Sequence, residues 1–396
     1  MARLFSCGFE LQSVTANVEF TTTAGSPTID TTTKRSGAAA LRCNASAAEV
    51  YFGKEFSASN VDGPLYVRTY IYIATAPSAL TTLINIGGST SDNGGRIRLA
   101  TDRTLELWDL AAKVGSSSSV IPLNEWHLVE IYYKHVGAET GELTGKLDGT
   151  SFASSTTLTL TSVDYLTIGV RTSTTADVYF DDIALNDSTG TSQNSWAGSG
   201  KIIHLAPNAA GDANLWQKSG GGVGDANNYQ DVDEAIPDDA TTYLRSTTLN
   251  DEDFYNCIAS GIGASDTVSL VQVGSRFSSS GSVAPTFKVE CKKTSGGTIA
   301  QGTGVAVTTA GWKTNAYDSP FAYQLTLYND PDGNSWTQAT LDTMQIGMKL
   351  TTDATPLDWI STLWALVEYI PVSPSSAPTG ENWPILTGNK FQGWRY

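Results

Sequence analysis

The chain has 396 residues, 40% hydrophobic and 16% charged, with 24 Lys and Arg against 40 Asp and Glu for a formal charge of −16. That length supports two cores rather than one, and so acidic a balance excludes nucleic-acid binding, which draws its affinity from clustered Lys and Arg. No run of about 18 apolar residues is present to span a membrane, and the opening MARLFSCGFE lacks the apolar stretch of a secretory leader, so the expectation is a soluble chain made in the cytosol without a membrane partner.

Thr, Ser and Gly are abundant and long runs of Ala, Leu, Glu and Lys are missing, which predicts an all-β fold. From the N-terminus, FELQ is followed by short strands at 36–43 and 48–56. Residues 65–73 alternate cleanly, with Leu65, Val67, Thr69, Ile71 and Ile73 on one face and Tyr66, Arg68, Tyr70 and Tyr72 on the other. Strands at 82–86, 96–100 and 104–109 come next, then a turn at 122–124, a strand at 126–134 and a tight return at 145–149. The segment 178–187, VYFDDIALND, places Val178 and Phe180 in one phase and Ile183 and Leu185 in the other, which predicts a β-bulge at Asp181 and Asp182. Adjacent carboxylates within an apolar strand need partners. Glu10 near the N-terminus sits in a similar setting, so a cation bridging Glu10 and Asp182, with Asp181 beside it, is one expectation. Hydrogen bonds from backbone amides and turns are the other.

FELQ, SGAAALRC, LYVRTYIYI, NEWHLVEIYY with KLDG after it, and VYFDDIALND together resemble the laminin-G-like or concanavalin A-like jelly roll across residues 1–188. The resemblance implies two packed antiparallel sheets and often calcium near one rim. In related carbohydrate modules that ion uses an early FE glutamate and a late DD aspartate, positions that here are Glu10 and Asp182.

Residues 189–200 carry no periodic apolar pattern and form the expected linker. A second β-sandwich is expected over 201–370, with strands at 267–273, 286–290, 304–308 and 322–328, a helical turn near 339–342, and strands at 344–350 and 363–370. The acidic region 224–253 reads as a solvated loop, since its acids lack calcium-loop spacing. The segment 329–334, NDPDGN, reads as a turn. The FDDI strand, GSGKIIHLAPNAAGD, DDATTYLRS, WTQATLDTMQIGMKLT and the closing LWALVEYI resemble structural proteins of tailed bacteriophages. That resemblance implies a virion component, a capsid decoration, head-fibre or tail-associated protein, which assembles with itself and with other virion proteins.

The three histidines, His127, His135 and His204, lie in no metal-ligand spacing, and neither a GxSxG elbow nor a P-loop is present. No strand shows the ExDxE pattern of a β-sandwich glycosidase, so no enzymatic activity is expected. The alternative function is a carbohydrate-binding adhesin for a host surface glycan, with Tyr66, Tyr70 and Tyr72 as its aromatic row. At the C-terminus, residues 371–396 read as an extended arm. Its Trp383, Ile385, Leu386, Phe391, Trp394 and Tyr396 would dock on a neighbouring subunit or another virion protein.

Cys7, Cys43, Cys257 and Cys291 show no close pairing of a zinc or redox motif. In a cytosolic product all four should stay reduced. Thiol titration of the unfolded chain without reductant is expected to find every cysteine free, and one missing pair of thiols would contradict it.

Overall fold

A computed structural model describes residues 2–88, 91–137, 140–239, 241–279, 286–306, 311–314, 323–352 and 358–372. The six side chains assigned to the assembly arm, Trp383, Ile385, Leu386, Phe391, Trp394 and Tyr396, lie outside the described residues. The fold is all-β, built from antiparallel sheets packed as two successive sandwiches.

In the first sandwich the principal strands are β1 (Arg3–Cys7), β2 (Ala40–Glu55), β3 (Leu65–Thr75), β4 (Thr81–Gly88), β5 (Trp126–Lys134) and β6 (Tyr165–Asp187). The long β6 is the spine. Its first part pairs with the end of β2, Tyr165 opposite Glu55, and with β4, Tyr165 opposite Gly87. Its second part pairs with β3, Asp187 opposite Leu65, with the start of β2, Phe180 opposite Leu41, and with β1, Ile183 opposite Cys7. Register slips between Val170 and Ala176 bend the ladder, so β2 and β6 serve both layers.

The alternation in β3 settles which face is core. Leu65, Val67, Ile71 and Ile73 pack inward with Val129, Ile131 and Tyr133 of β5, all at most 1% exposed. Each such side chain contributes about 1.5–3 kcal/mol by burial. The outward set of β3 faces its neighbours in strict register: Tyr66 opposite Tyr132, Arg68 opposite Glu130, Tyr70 opposite Leu128 and Tyr72 opposite Trp126.

The phase slip of 178–187 is realised as a bulge. Pairing with β3 shifts between Asp181 and Ala184, and Asp182 takes φ +51°, a left-handed conformation that aspartate tolerates better than most residues. One extra residue, with Asp182 and Ile183 opposite Thr69 alone, thereby turns the Asp182 carboxyl out of the first core and toward Ile202 of the second sandwich.

The second sandwich uses β7 (Lys201–Leu205), β8 (Glu252–Cys257), β9 (Thr267–Ser279), β10 (Gln345–Thr352) and β11 (Asp358–Ile370). β7 and β9 flank β11 in one sheet, and β8 pairs with β10 in the other. Trp216, Val271, Val273, Phe287, Ile346, Met348, Leu363 and Val367 fill the space between, each fully buried.

The acidic region differs from a solvated loop at two points. Asp231 ends a short 3-10 turn and is buried, and Asp253 on β8 is fully buried. Asp253 accepts hydrogen bonds from the Trp216 amide at 2.8 Å, Asn228 Nδ2 at 2.9 Å and the Tyr255 hydroxyl at 2.5 Å, which organise the loop from inside. Spacing alone carries no sign of such remote donors. In NDPDGN, Asp330 accepts from the amides of Asp332 and Asn334 at 3.0 and 2.9 Å, which closes the turn. All four cysteines are buried and unpaired.

Candidate functional site

The chemistry of this protein concentrates where β3 and β6 of the first sandwich meet β7 and β11 of the second. Glu368 on β11 is fully buried, and its carboxylate lies between two fully buried guanidiniums from the other sandwich. Arg68 Nη1 donates to it at 2.6 Å, and Arg3 Nη1 donates to its second oxygen. Burial alone would raise this carboxyl, but the charges of Arg3 and Arg68 outweigh it and hold Glu368 down at about 2. Each guanidinium also donates through its Nε. Arg68 Nε donates to the Asp182 carbonyl at 2.9 Å, and Arg3 Nε donates to Asn186 Oδ1 at 2.6 Å. The linker crosses the triad at Gly200, where a Cβ would lie 2.4 Å from a Glu368 oxygen and 2.5 Å from Arg68 Nη1. Only glycine fits that crossing.

Asp182 is held with equal completeness. It accepts from Ser36 Oγ at 2.5 Å, from Arg35 Nη1 at 2.5 Å and from the Ile202 amide on β7 at 2.6 Å. Asp181 accepts from the amides of Arg35 at 2.8 Å, Ser36 at 3.2 Å and Asp182 at 2.7 Å. Burial first, and then the neighbouring Asp182 charge, raise the Asp181 carboxyl well above its ordinary range. In this arrangement both Asp182 oxygens accept from protein donors. Among the described residues no group of three or more His, Cys, Asp and Glu is arranged to hold a metal ion. Glu10 lies nearby with one oxygen accepting from the Ala38 amide at 2.7 Å. Arg35 and Ser36 are the site residues that sequence reasoning missed. They precede the apolar run of SGAAALRC, and nothing in the local pattern joins them to a strand about 145 residues away.

The outward tyrosines of β3 meet different fates. Tyr70 is 6% exposed and roofed by the Arg35 guanidinium, 3.2 Å from its ring centre. It offers no open ring to a sugar, a correction to its expected role. Tyr66 packs at 5.5 Å against Trp196 of the linker, which also carries Lys146 Nζ at 3.5 Å over its ring. Tyr72 remains half-buried and forms the middle of a cross-strand row, with Trp126 at 5.5 Å on one side and Tyr179 at 5.5 Å on the other. Arg42, opposite Tyr179 in the ladder, extends the row and grips Asp177 at 3.0 and 2.7 Å. Trp126, Tyr179 and Arg42 come from three strands far apart in sequence, so only the ladder register assembles them with Tyr72.

No family model matches the chain, and no curated protein matches it. Solved structures similar to it cover about half its length. The cellulose-induced protein Cip1 aligns with 49% of this chain and 99% of its own, at 16% identity and a TM-score of 0.37. An endo-β-1,4-glucuronan lyase from the fungus Trichoderma reesei aligns with 46% and 95%, at 11% identity and 0.36. A carbohydrate esterase from the Shiga toxin-encoding bacteriophage phi24B aligns with 47% and 98%, at 16% identity and 0.36. The expectation that the chain has no enzymatic activity is corrected here, since a lyase and an esterase stand among these neighbours.

Two outcomes follow for the junction. Replacing Glu368 by Gln leaves Arg3 and Arg68 without their counter-charge, so the urea midpoint of unfolding should drop by the equivalent of about 3–5 kcal/mol, and an unchanged midpoint would show that the triad does not hold the sandwiches together. Stability should also peak in mild acid. The depressed Glu368 contributes stability that is present above its ordinary 4.5 and is lost as pH falls through about 2. Burial raises Glu10 to about 9 and Glu19 to about 8, so their contribution is full below 4.5 and is lost as pH rises through those values. The melting temperature is therefore expected to fall steadily from pH 5 to pH 9, and less steeply in the Glu19→Gln chain, where Glu10 alone of the two remains, a profile that calorimetry across that range would check.

Proposed function

We propose that this chain is a carbohydrate-recognition protein whose first sandwich binds a glycan on the outer face of β5, β3, β6 and β2. The observation that carries the reading is the row Trp126, Tyr72, Tyr179 and Arg42. Its members stand on four adjacent strands in mutual register, with Trp126 and Tyr72 half-exposed. Strands spaced about 4.8 Å apart set such rings side by side as a platform. Sugar rings present C–H faces that stack on aromatic rings, while their hydroxyls need fixed polar partners. The Arg42–Asp177 pair supplies both, a planar donor fork and a carboxylate acceptor already locked in place.

The row keeps one member of the tyrosine set expected from the sequence and replaces the other two. Tyr70 and Tyr66 serve the junction with the linker, whereas Trp126 joins Tyr72 on the platform and Tyr179, 6% exposed beneath Arg42, supports Tyr72 from the side. The similarity of the chain's segments to tailed-phage structural proteins supports placing such a recognition surface on a virion, with a host surface glycan as its partner.

Glycan-array binding should be lost, at least tenfold in apparent affinity, on Trp126→Ala, since one aromatic stacking contact of this size contributes about 1–3 kcal/mol. Tyr70→Phe should bind as the parent chain does. Loss of binding on Tyr70→Phe with retention on Trp126→Ala would relocate the site and overturn the proposal.

A further inference from the structure

Between the sandwiches, beside Glu10, lies a cleft with two adjoining lobes of about 170 and about 200 Å³. Glu10, Ala38, His204 and Ile258 line both lobes, and Glu234 and Trp364 line the first. Three polar atoms of these walls are buried without a hydrogen-bond partner among the described residues: Glu10 Oε1, His204 Nε2 and Glu234 Oε2. Glu10 itself is only 6% exposed. Its other oxygen is taken by the Ala38 amide, and the other oxygen of Glu234 accepts from Thr242 Oγ1 at 2.6 Å.

With the two carboxyls ionised, all three unpartnered positions are acceptors. The His204 ring stacks on Trp364 at 5.6 Å, and burial pushes its pKa down to about 3, so the imidazole is neutral and Nε2 accepts when Nδ1 carries the proton. Among the described residues no Lys or Arg lines either lobe. Lys34, a cation whose charge acts on Glu10, is exposed and donates to the Ala38 carbonyl at 3.0 Å instead. Burial pushes Glu10 up to about 9, helped by the Glu19 and Asp182 charges, and Glu234 up to about 7. Carboxyls raised in this way lack a counter-charge.

We infer that the cleft is a binding site for a small ligand bearing a primary ammonium group. An ammonium carries three N–H donors, no acceptor and one positive charge, which matches three open acceptors on two uncompensated carboxyls and a neutral imidazole. Ile258, Ala38 and Trp364 would enclose a short apolar stem. A neutral polyol would supply donors without the charge, and a quaternary ammonium the charge without donors.

Titration calorimetry on the full chain distinguishes these, with ethanolamine as the probe and ethylene glycol and tetramethylammonium as matched controls. Ethanolamine is expected to bind saturably, and each control at least about tenfold more weakly. Glu234→Gln, a change at a half-buried position, should weaken ethanolamine at least about tenfold, and Glu10→Gln should do the same if that chain folds. Absence of saturable ethanolamine binding, equal binding of ethylene glycol, or unaltered binding by the Glu234→Gln chain would each overturn the assignment.

Discussion

Two buried carboxylates, Asp182 and Glu368, hold the junction because each finds its donors across it. Glu368 belongs to the second sandwich and takes Arg3 and Arg68 from the first. Asp182 belongs to the first and takes the Ile202 amide from the second. A buried charge without partners costs far more than a paired one gains, so neither sandwich can withdraw without stranding ions in an apolar interface. The relation of the two sandwiches therefore rests on polar satisfaction, and the apolar contact between them, in which Trp364, Leu366 and Ile202 join the first core, closes around it.

That constraint also explains the unusual backbone at the bulge. Asp182 accepts a left-handed φ in the middle of a long strand, which a β-branched residue would resist. In return the carboxylate points at β7 and the carbonyl at Arg68. Gly200 is required for the same reason, because any Cβ would strike the ion pair. A strained strand, a linker glycine and three remote arginines, Arg3, Arg35 and Arg68, thus serve one arrangement.

The same geometry divides the outer face of β3 between two tasks. Near the linker, Arg68, Tyr70 and Tyr66 are covered by the second sandwich, by Arg35 and by Trp196. At the far end Tyr72 lies beyond that cover and keeps company with Trp126, Tyr179 and Arg42. Glu10, Glu234 and His204, each with a buried polar atom that lacks a partner, line the cleft. The two proposed recognition surfaces lie at the edges of the junction, whose centre is occupied by its ion pairs.

The all-β class, the alternation of β3, the turn at Asp330 and the bulge at Asp181 and Asp182 were legible in the sequence, since each depends on residues within a few positions of one another. The need of the two aspartates for partners was legible too. The identity of those partners was not: Arg35 and Ser36 reach them across a loop, and Ile202 belongs to another sheet. Periodicity likewise placed Tyr66, Tyr70 and Tyr72 on one face without showing that Arg35 and Trp196 cover two of them. Local spacing determines which way a side chain points from its strand. What it meets there is decided by strands distant in the chain, through register and the packing of one sandwich on the other.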